Sequence, residues 1–398
     1  MNKGQRKTWQ TPWGYIESFL IAGGLLITGW GLDLLVHAPV PLMRFPVNII
    51  AFFVLIIIMG LLFYVSRKVK GLIWFYSIPA SISAIVLFAI ISLIIALVPQ
   101  TQEFTSPLRS ITRGWAYFLS YFYLLLTLGV TVIRKTVEYK NTSIGFVLNH
   151  LGLWLALAAA AIGAGDRQKL TMFLKENETI WYAFNDVRAS FELPFAIELN
   201  DFELDEYPPK LAIIDNETGE FIKMAGKPLI TEFTQNTKMS LGGYSFVIKE
   251  FYPLSWAMGN HYRPVNTIGA CPSVGIIIEG SDSLKWISCG SFMQNPQALA
   301  LDERQTLVML KPEPLRYASE ITLYRKDGDI SKEVIEVNKP LKIGGWKIYQ
   351  VSYDEKMGQW SETSIVEIIN DPWLPIVYSG CILMILGSSI LIYKGKKR

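Results

Sequence analysis

Apolar residues run unbroken over long stretches near both ends of the chain and alternate with polar residues in between. Six stretches are long enough to cross a hydrocarbon layer of ~30 Å, which takes ~20 helical residues. They cover approximately residues 16–36, 47–65, 77–98, 115–133, 145–163 and 374–393. The second and third are almost purely aliphatic and aromatic, whereas the first carries Glu17, Asp33 and four Gly. No small-x-small cleavage site follows it and it is longer than a signal-peptide core, so it reads as a span. Between the fifth and sixth spans the pattern has period two with repeated turn signals. Residues 210–215 and 220–224 flank a turn at 216–219, 320–325 and 331–337 flank an Asp-Gly turn, and 346–353 and 362–369 flank another loop. Further strands are expected over 244–251, 275–278 and 305–310. The fold class this predicts is a polytopic α-helical membrane protein of six spans. A large mainly-β periplasmic domain, of sandwich or barrel type, is inserted before the last span. The domain limits are 1–15 for a cytoplasmic N-terminus, 16–164 for five spans, 165–371 for the β-rich domain, 372–393 for the sixth span and 394–398 for a basic tail.

Composition agrees with that division. Of 398 residues 51% are hydrophobic and 18% charged, and the mean hydropathy is +0.30. The net charge of +3 hides a split: residues 165–371 hold 30 acidic against 21 basic side chains, and the remainder 4 against 16. The basic residues fix an orientation, because Lys and Arg favour cytoplasmic loops. With the N-terminus inside, the cytoplasmic segments hold 13 of them: Lys3, Arg6, Lys7, Arg67, Lys68, Lys70, Arg134, Lys135, Lys140, Lys394, Lys396, Lys397 and Arg398. The opposite short loops hold 3, Arg44, Arg109 and Arg113. Both termini are therefore expected in the cytoplasm and the β block outside it. Basic residues so placed serve anchoring to membrane lipid, and no basic stripe with interleaved aromatics suggests nucleic acid.

The chain lacks a phosphate loop, a Gly-x-Ser-x-Gly elbow, a His-Glu-x-x-His pair and a Cys-x-x-Cys-His site. With one His in the β block, His261, neither a Ser-His-Asp triad nor a poly-His metal site is readily built there. His150 stands out. It lies about one and a half turns into the fifth span, ~8–9 Å along a helix of 1.5 Å rise. An ionisable residue inside a span is costly and marks a candidate functional site, and neutral imidazole ligates heme iron. Trp154, four residues on, shares its face. Ala158 and Ala161 continue that face as a small-residue surface for a flat macrocycle or another helix. A His hydrogen-bonded to a neighbouring helix is the alternative. His37 reads as an interfacial residue at the end of the first span, His261 as a loop residue and Glu17 as a carboxylate reaching back to the cytoplasmic interface. Cys271 and Cys289 are placed for a disulfide in an oxidising compartment or for two buried thiols, and Cys381 for packing in the last span. The Trp and Tyr at span ends, such as Trp9, Trp13, Trp74, Trp115 and Tyr393, read as an aromatic belt.

Several segments resemble the ResB/CcsB family of cytochrome c maturation. They are Val337-Asn338-Lys339-Pro340-Leu341, Gly345-Trp346-Lys347-Ile348-Tyr349-Gln350-Val351-Ser352-Tyr353-Asp354, and the run from Val366 through Asp371-Pro372-Trp373 to Gly380. The His150-Leu151-Gly152 segment and residues 193–203 are similar too, so that the resemblance spans about 143–393. It implies a heme delivery subunit, a non-catalytic or auxiliary part of a cytochrome c heme lyase/synthetase complex in the bacterial inner membrane. The family's transmembrane His maps onto His150 as an axial ligand to iron. The implied cargo is heme b, bound transiently, and the implied partners are a CcsA/ResC-like membrane protein and apocytochrome c. The partner's Trp-rich motif is absent here. Four spans are expected of the family and six are counted, leaving the extra pair without a counterpart. The rival reading is a non-enzymatic membrane sensor or assembly scaffold without heme.

Overall fold

The computed structural model describes residues 9–101, 106–138 and 143–395. Lys3, Arg6, Lys7, Lys140, Lys396, Lys397 and Arg398, which weigh in the orientation argument, lie outside the described residues. The chain divides into a helical unit, Met1–Arg167 with Asn370–Arg398, and a β unit, Gln168–Ile369.

Six helices make the first unit: α1 Tyr15–Val36, α2 Val47–Ser66, α3 Ile78–Leu97, α4 Trp115–Val137, α5 Ile144–Ile162 and α6 Leu374–Gly395. Each is long and apolar enough to cross a membrane. Helices α2 and α3 leave Ile, Leu and Phe exposed along their length, as side chains facing hydrocarbon do. Helix α4 differs. It is the most buried of the six, and it carries Tyr, Ser and Thr among its inward residues because it faces helices. Its hydroxyls are satisfied locally, as where Thr127 donates to the Tyr123 carbonyl at 3.0 Å and Tyr123 to the Ala80 carbonyl of α3 at 3.1 Å.

The two acids of α1 are explained here. Asp33 is buried and accepts the Trp115 N–H at 2.6 Å and the Ala116 N–H at 3.4 Å. It thereby caps α4 from a neighbouring helix, where free N–H groups and the helix dipole favour an anion. Glu17, expected to reach back toward the cytoplasmic interface, does turn back onto the segment that precedes it. It is buried and accepts the N–H groups of Gly14 at 2.8 Å and Trp9 at 3.3 Å. The Gly14 bond is the return half of a capping box at the start of α1, and the Trp9 N–H comes from the segment before the helix.

Helices α5 and α6 pack on glycine. A Cβ on Gly152 would lie 2.5 Å from the Gly380 carbonyl oxygen and 2.6 Å from the Met384 nitrogen. One on Gly145 would lie 2.8 Å from the Gly387 oxygen. Backbones this close are the reason for small residues at a helix interface. Between the glycines, Asn149 donates to Ser388 Oγ at 2.7 Å and to the Met384 carbonyl at 3.2 Å. Just beyond α5, the Asp166 carboxylate accepts from Asn48 of α2 at 2.5 Å, from the Phe45 N–H at 2.8 Å and from the Trp373 indole at 2.8 Å. Burial works against its ionisation. The three donors and the Arg44 charge outweigh that and hold its pKa below the usual carboxylate value.

The β unit has two cores. Its largest sheet runs in the order Ile330–Glu336, Pro314–Arg325, Ser190–Glu206, Thr179–Phe184, Gln168–Lys175, Thr363–Asn370, Trp346–Tyr353, Leu341–Ile343. Alternate residues point inward: Leu170, Met172 and Leu174 on one strand, and Leu193, Phe195, Ile197 and Leu199 on another, close one apolar core with Ile321, Ile335, Ile348 and Val366. The sheet curls so that distant strands meet. Ser319 Oγ lies within hydrogen-bond distance of Gln350 Oε1 at 2.8 Å and of Ser364 Oγ at 2.7 Å, and the Tyr317 hydroxyl donates to the Val351 carbonyl at 3.1 Å. The second core lies between a sheet built on Tyr244–Met258 and Cys271–Ile278 and one built on Leu211–Asp215 and Gln305–Met309. One expected strand is much reduced. Residues 220–224 contribute only an Ile214–Phe221 bridge and the two-residue strand Lys223–Met224, which pairs with Lys227–Pro228. Pairing at the turn stops early because the chain reverses again at Ala225 and Gly226, both with positive φ.

Candidate functional site

The site is built on α5. Its glycine face is committed to α6, and Trp154 fixes the opposite side. The Trp154 indole is buried and donates to the Leu125 carbonyl of α4 at 3.2 Å. It packs against Phe52 of α2 at 5.7 Å between ring centroids. Ala158 is fully buried in the same cluster, while Ala161 is exposed. Of the two roles open to this small-residue surface, Ala158 takes that of a helix contact.

His150 lies one turn before Trp154 and is half-buried. Its Nδ1 is 2.9 Å from the Phe146 carbonyl oxygen, one turn back on α5. A carbonyl only accepts, so Nδ1 carries the proton and the lone pair is on Nε2. Among the described residues Nε2 has no hydrogen-bond partner. The Phe146 ring stacks on the imidazole, with centroids 3.8 Å apart and planes 22° apart. A backbone carbonyl on one ring nitrogen and a free lone pair on the other is how proteins orient a ligating His. Among the described residues His150 makes no hydrogen bond to a neighbouring helix.

The other candidates lie elsewhere. His37 is exposed and ends α1 in the left-handed conformation, with φ of 50° and its N–H on the Asp33 carbonyl. His261 is exposed and begins a short strand, His261–Pro264, rather than sitting in a loop, because its residues pair with Tyr244–Met258. Among the described residues no group of three or more His, Cys, Asp or Glu could hold a metal ion. Cys271 and Cys289 are both free and buried. Cys271 faces Ser288 Oγ at 3.2 Å, whereas Cys289 packs in the apolar core with Val274 and Ile287. The bridge the spacing allowed is not formed. Burial pushes both thiols up, Cys289 to about 12, so neither offers a thiolate near neutral pH.

Sequence reasoning missed Phe146, which orients the imidazole, and Asn149, which ties α5 to α6. A signal was present: Gly145, Asn149, Gly152 and Ala156 recur at spacings of four and three, the mark of one helix face.

The β unit is where known proteins speak. Residues 276–367 match the ResB-like family. No curated protein matches the chain. The ResB-like segment starts within Cys271–Ile278 and ends within Thr363–Asn370, and it includes the quoted motifs at 337–341 and 345–354. The 371–380 motif, residues 193–203 and His150 lie outside it.

Proposed function

We propose that this chain is a ResB-like subunit of a heme delivery and cytochrome c synthetase complex. It sits in the bacterial inner membrane with both termini cytoplasmic and the β unit periplasmic. It pairs with a CcsA/ResC-like membrane protein and helps present heme to apocytochrome c for thioether attachment. The ResB-like match supports a role in cytochrome c biogenesis. The observation that carries the heme reading is the imidazole of His150, with Nδ1 held by the Phe146 carbonyl and Nε2 free. Heme is apolar apart from its two carboxylates, and its iron accepts a neutral imidazole. His150 supplies the lone pair and Phe146 holds its direction. Trp154 sets the rotation of α5 that presents them. One His gives one axial ligand, so the other belongs to the partner.

His150→Ala, expressed with the partner, should give a folded complex with heme absorbance reduced several-fold and failed cytochrome c maturation. Added imidazole should restore part of both. A normal heme spectrum in the variant would reduce His150 to a packing residue. Orientation is tested separately by alkaline phosphatase fused after Ser240 or after Tyr393. Activity is expected for the first fusion only, and the reverse pattern sinks the topology.

A further inference from the structure

A cavity of about 530 Å³ opens into the helical unit among α2, α4, the loop before α2 and the end of α5. That lies within the range of ~300–1,000 Å³ typical of ligand pockets. His150 does not line it. We propose that this cavity holds the ring of an isoprenoid quinone, a neutral planar head on a hydrocarbon tail.

The three walls differ. Helix α4 contributes four aromatic side chains in two columns, the members of each column four residues apart. Tyr117 and Tyr121 lie 5.6 Å apart between ring centroids, and Phe118 stacks on Phe122 at 6.2 Å. Helix α2 faces them with Ala51, Val54 and Ile58, which recur at spacings of three and four on one face. The end of α5 adds Ala160 and Ala161. Side chains that short leave a slot beside the rings, and an aromatic wall suits a flat conjugated occupant better than a bare acyl chain. A quinone ring is electron-poor, so it stacks against the negative face of a tyrosine.

Polarity sets the head group. The lining holds no carboxylate, and Arg113, its one charged residue, is already engaged. A neutral ligand therefore fits, whereas the two carboxylates of heme would be buried without a counter-charge. The Tyr121 hydroxyl is spent on the Leu157 carbonyl at 2.9 Å. The Tyr117 hydroxyl has no hydrogen-bond partner among the described residues, which leaves one donor for one quinone carbonyl. Tyr117 lies near the start of α4 and Leu125 farther along it, ~12 Å on at 1.5 Å per residue. That length takes a ring and the start of its tail. Val54 and Phe122 line the cavity and are exposed at 45% and 36%, so the rest of the tail leaves between them for the lipid. The inference rests on the membrane reading of the six helices and is independent of heme at His150.

The test is equilibrium dialysis of ubiquinone-1 against the purified full chain in non-ionic detergent, with protein-free micelles as the blank and oleate or monoolein as competitor. One ubiquinone-1 per chain should bind, and neither competitor at equal concentration should displace it. Ala51→Phe and Ala160→Phe fill the slot from opposite walls and should each weaken binding roughly tenfold or more. Tyr117→Phe keeps the ring and loses the donor, so it should weaken binding about fivefold, the worth of one hydrogen bond. Circular dichroism confirms the fold of each variant, and two filling variants guard against the loss of one. Equal binding by wild type and both filled variants would mean partition into the micelle and overturn the proposal. Displacement by oleate or monoolein would make the cavity an acyl groove and overturn it as well. Unchanged binding in Tyr117→Phe would overturn the assignment of a quinone head.

Discussion

The two thiols of the β unit and the imidazole of α5 sit in opposite surroundings. Cys289 is packed among Val274, Ile287 and Leu307, and its thiol is pushed up to about 12. His150 is half-buried, with one nitrogen held by its own helix and the other free. A β core silences a nucleophile by removing its solvent. A helix can orient a ligand with a single carbonyl, because residues four apart face each other. The ResB-like match follows the first environment: it covers strands, turns and core positions that specify a fold. The residue suited to coordination lies outside it. A family likeness carried by packing thus says little about which side chain works.

The largest expected effect comes from the packing that presents His150. Gly152→Leu would push a side chain into the α6 backbone, where overpacking costs ~1–3 kcal/mol or more. It should lower the thermal midpoint of the helical unit and release heme. As the matched control, Gly328→Ala occupies a turn with φ of +86° and open space around it. It should cost about 1 kcal/mol and leave heme untouched. Equal losses of heme in both would break the contrast between the units.

A smaller effect is expected at the thiols. Cys271→Ser with Cys289→Ser buries two hydroxyls, at ~1–3 kcal/mol for each one left unpaired, yet heme content should stay within twofold of wild type. In a folded Cys381→Ser chain, Cys271 and Cys289 should both resist maleimide at pH 7.5. Rapid labelling, or heme loss from a folded double variant, would move the working chemistry into the β unit.

The smallest effect is electrostatic. Hydrogen bonds from Arg316 and Lys339 hold the Glu336 carboxyl down to about 2. A depressed carboxylate stabilises the fold above its unfolded value, 4.5 here, and that contribution is lost as pH falls toward 2. Glu336→Gln should therefore flatten the acid limb of β-unit stability between pH 4.5 and 2 and leave pH 7 to 8 behaviour unshifted in slope. An unchanged acid limb would show that solvent already screens the cluster.

Much of the architecture is legible in the residues. Unbroken apolar runs give the six helices, each long and apolar enough to cross a membrane, and period-two alternation with Asp-Gly turns gives strands such as Pro314–Arg325 and Ile330–Glu336. What escapes is non-local. Nothing near Asp33 in sequence says that it caps a helix 82 residues away, and nothing near Cys271 says that Cys289 packs into a core while it faces a serine. The position of His150 is legible too. Its tautomer is not, because that depends on where the Phe146 carbonyl points.

The glycine contact between α5 and α6 has a consequence in time. Asn149 and Ser388 are 239 residues apart. At ~5–20 residues per second of synthesis, α5 waits about 10–50 s for the helix that fills its face. For that interval its glycine groove and the Asn149 amide have no intramolecular partner from α6. The nascent chain therefore calls for something to shield α5 until the last helix emerges, and premature termination within the β unit would leave that groove permanently open.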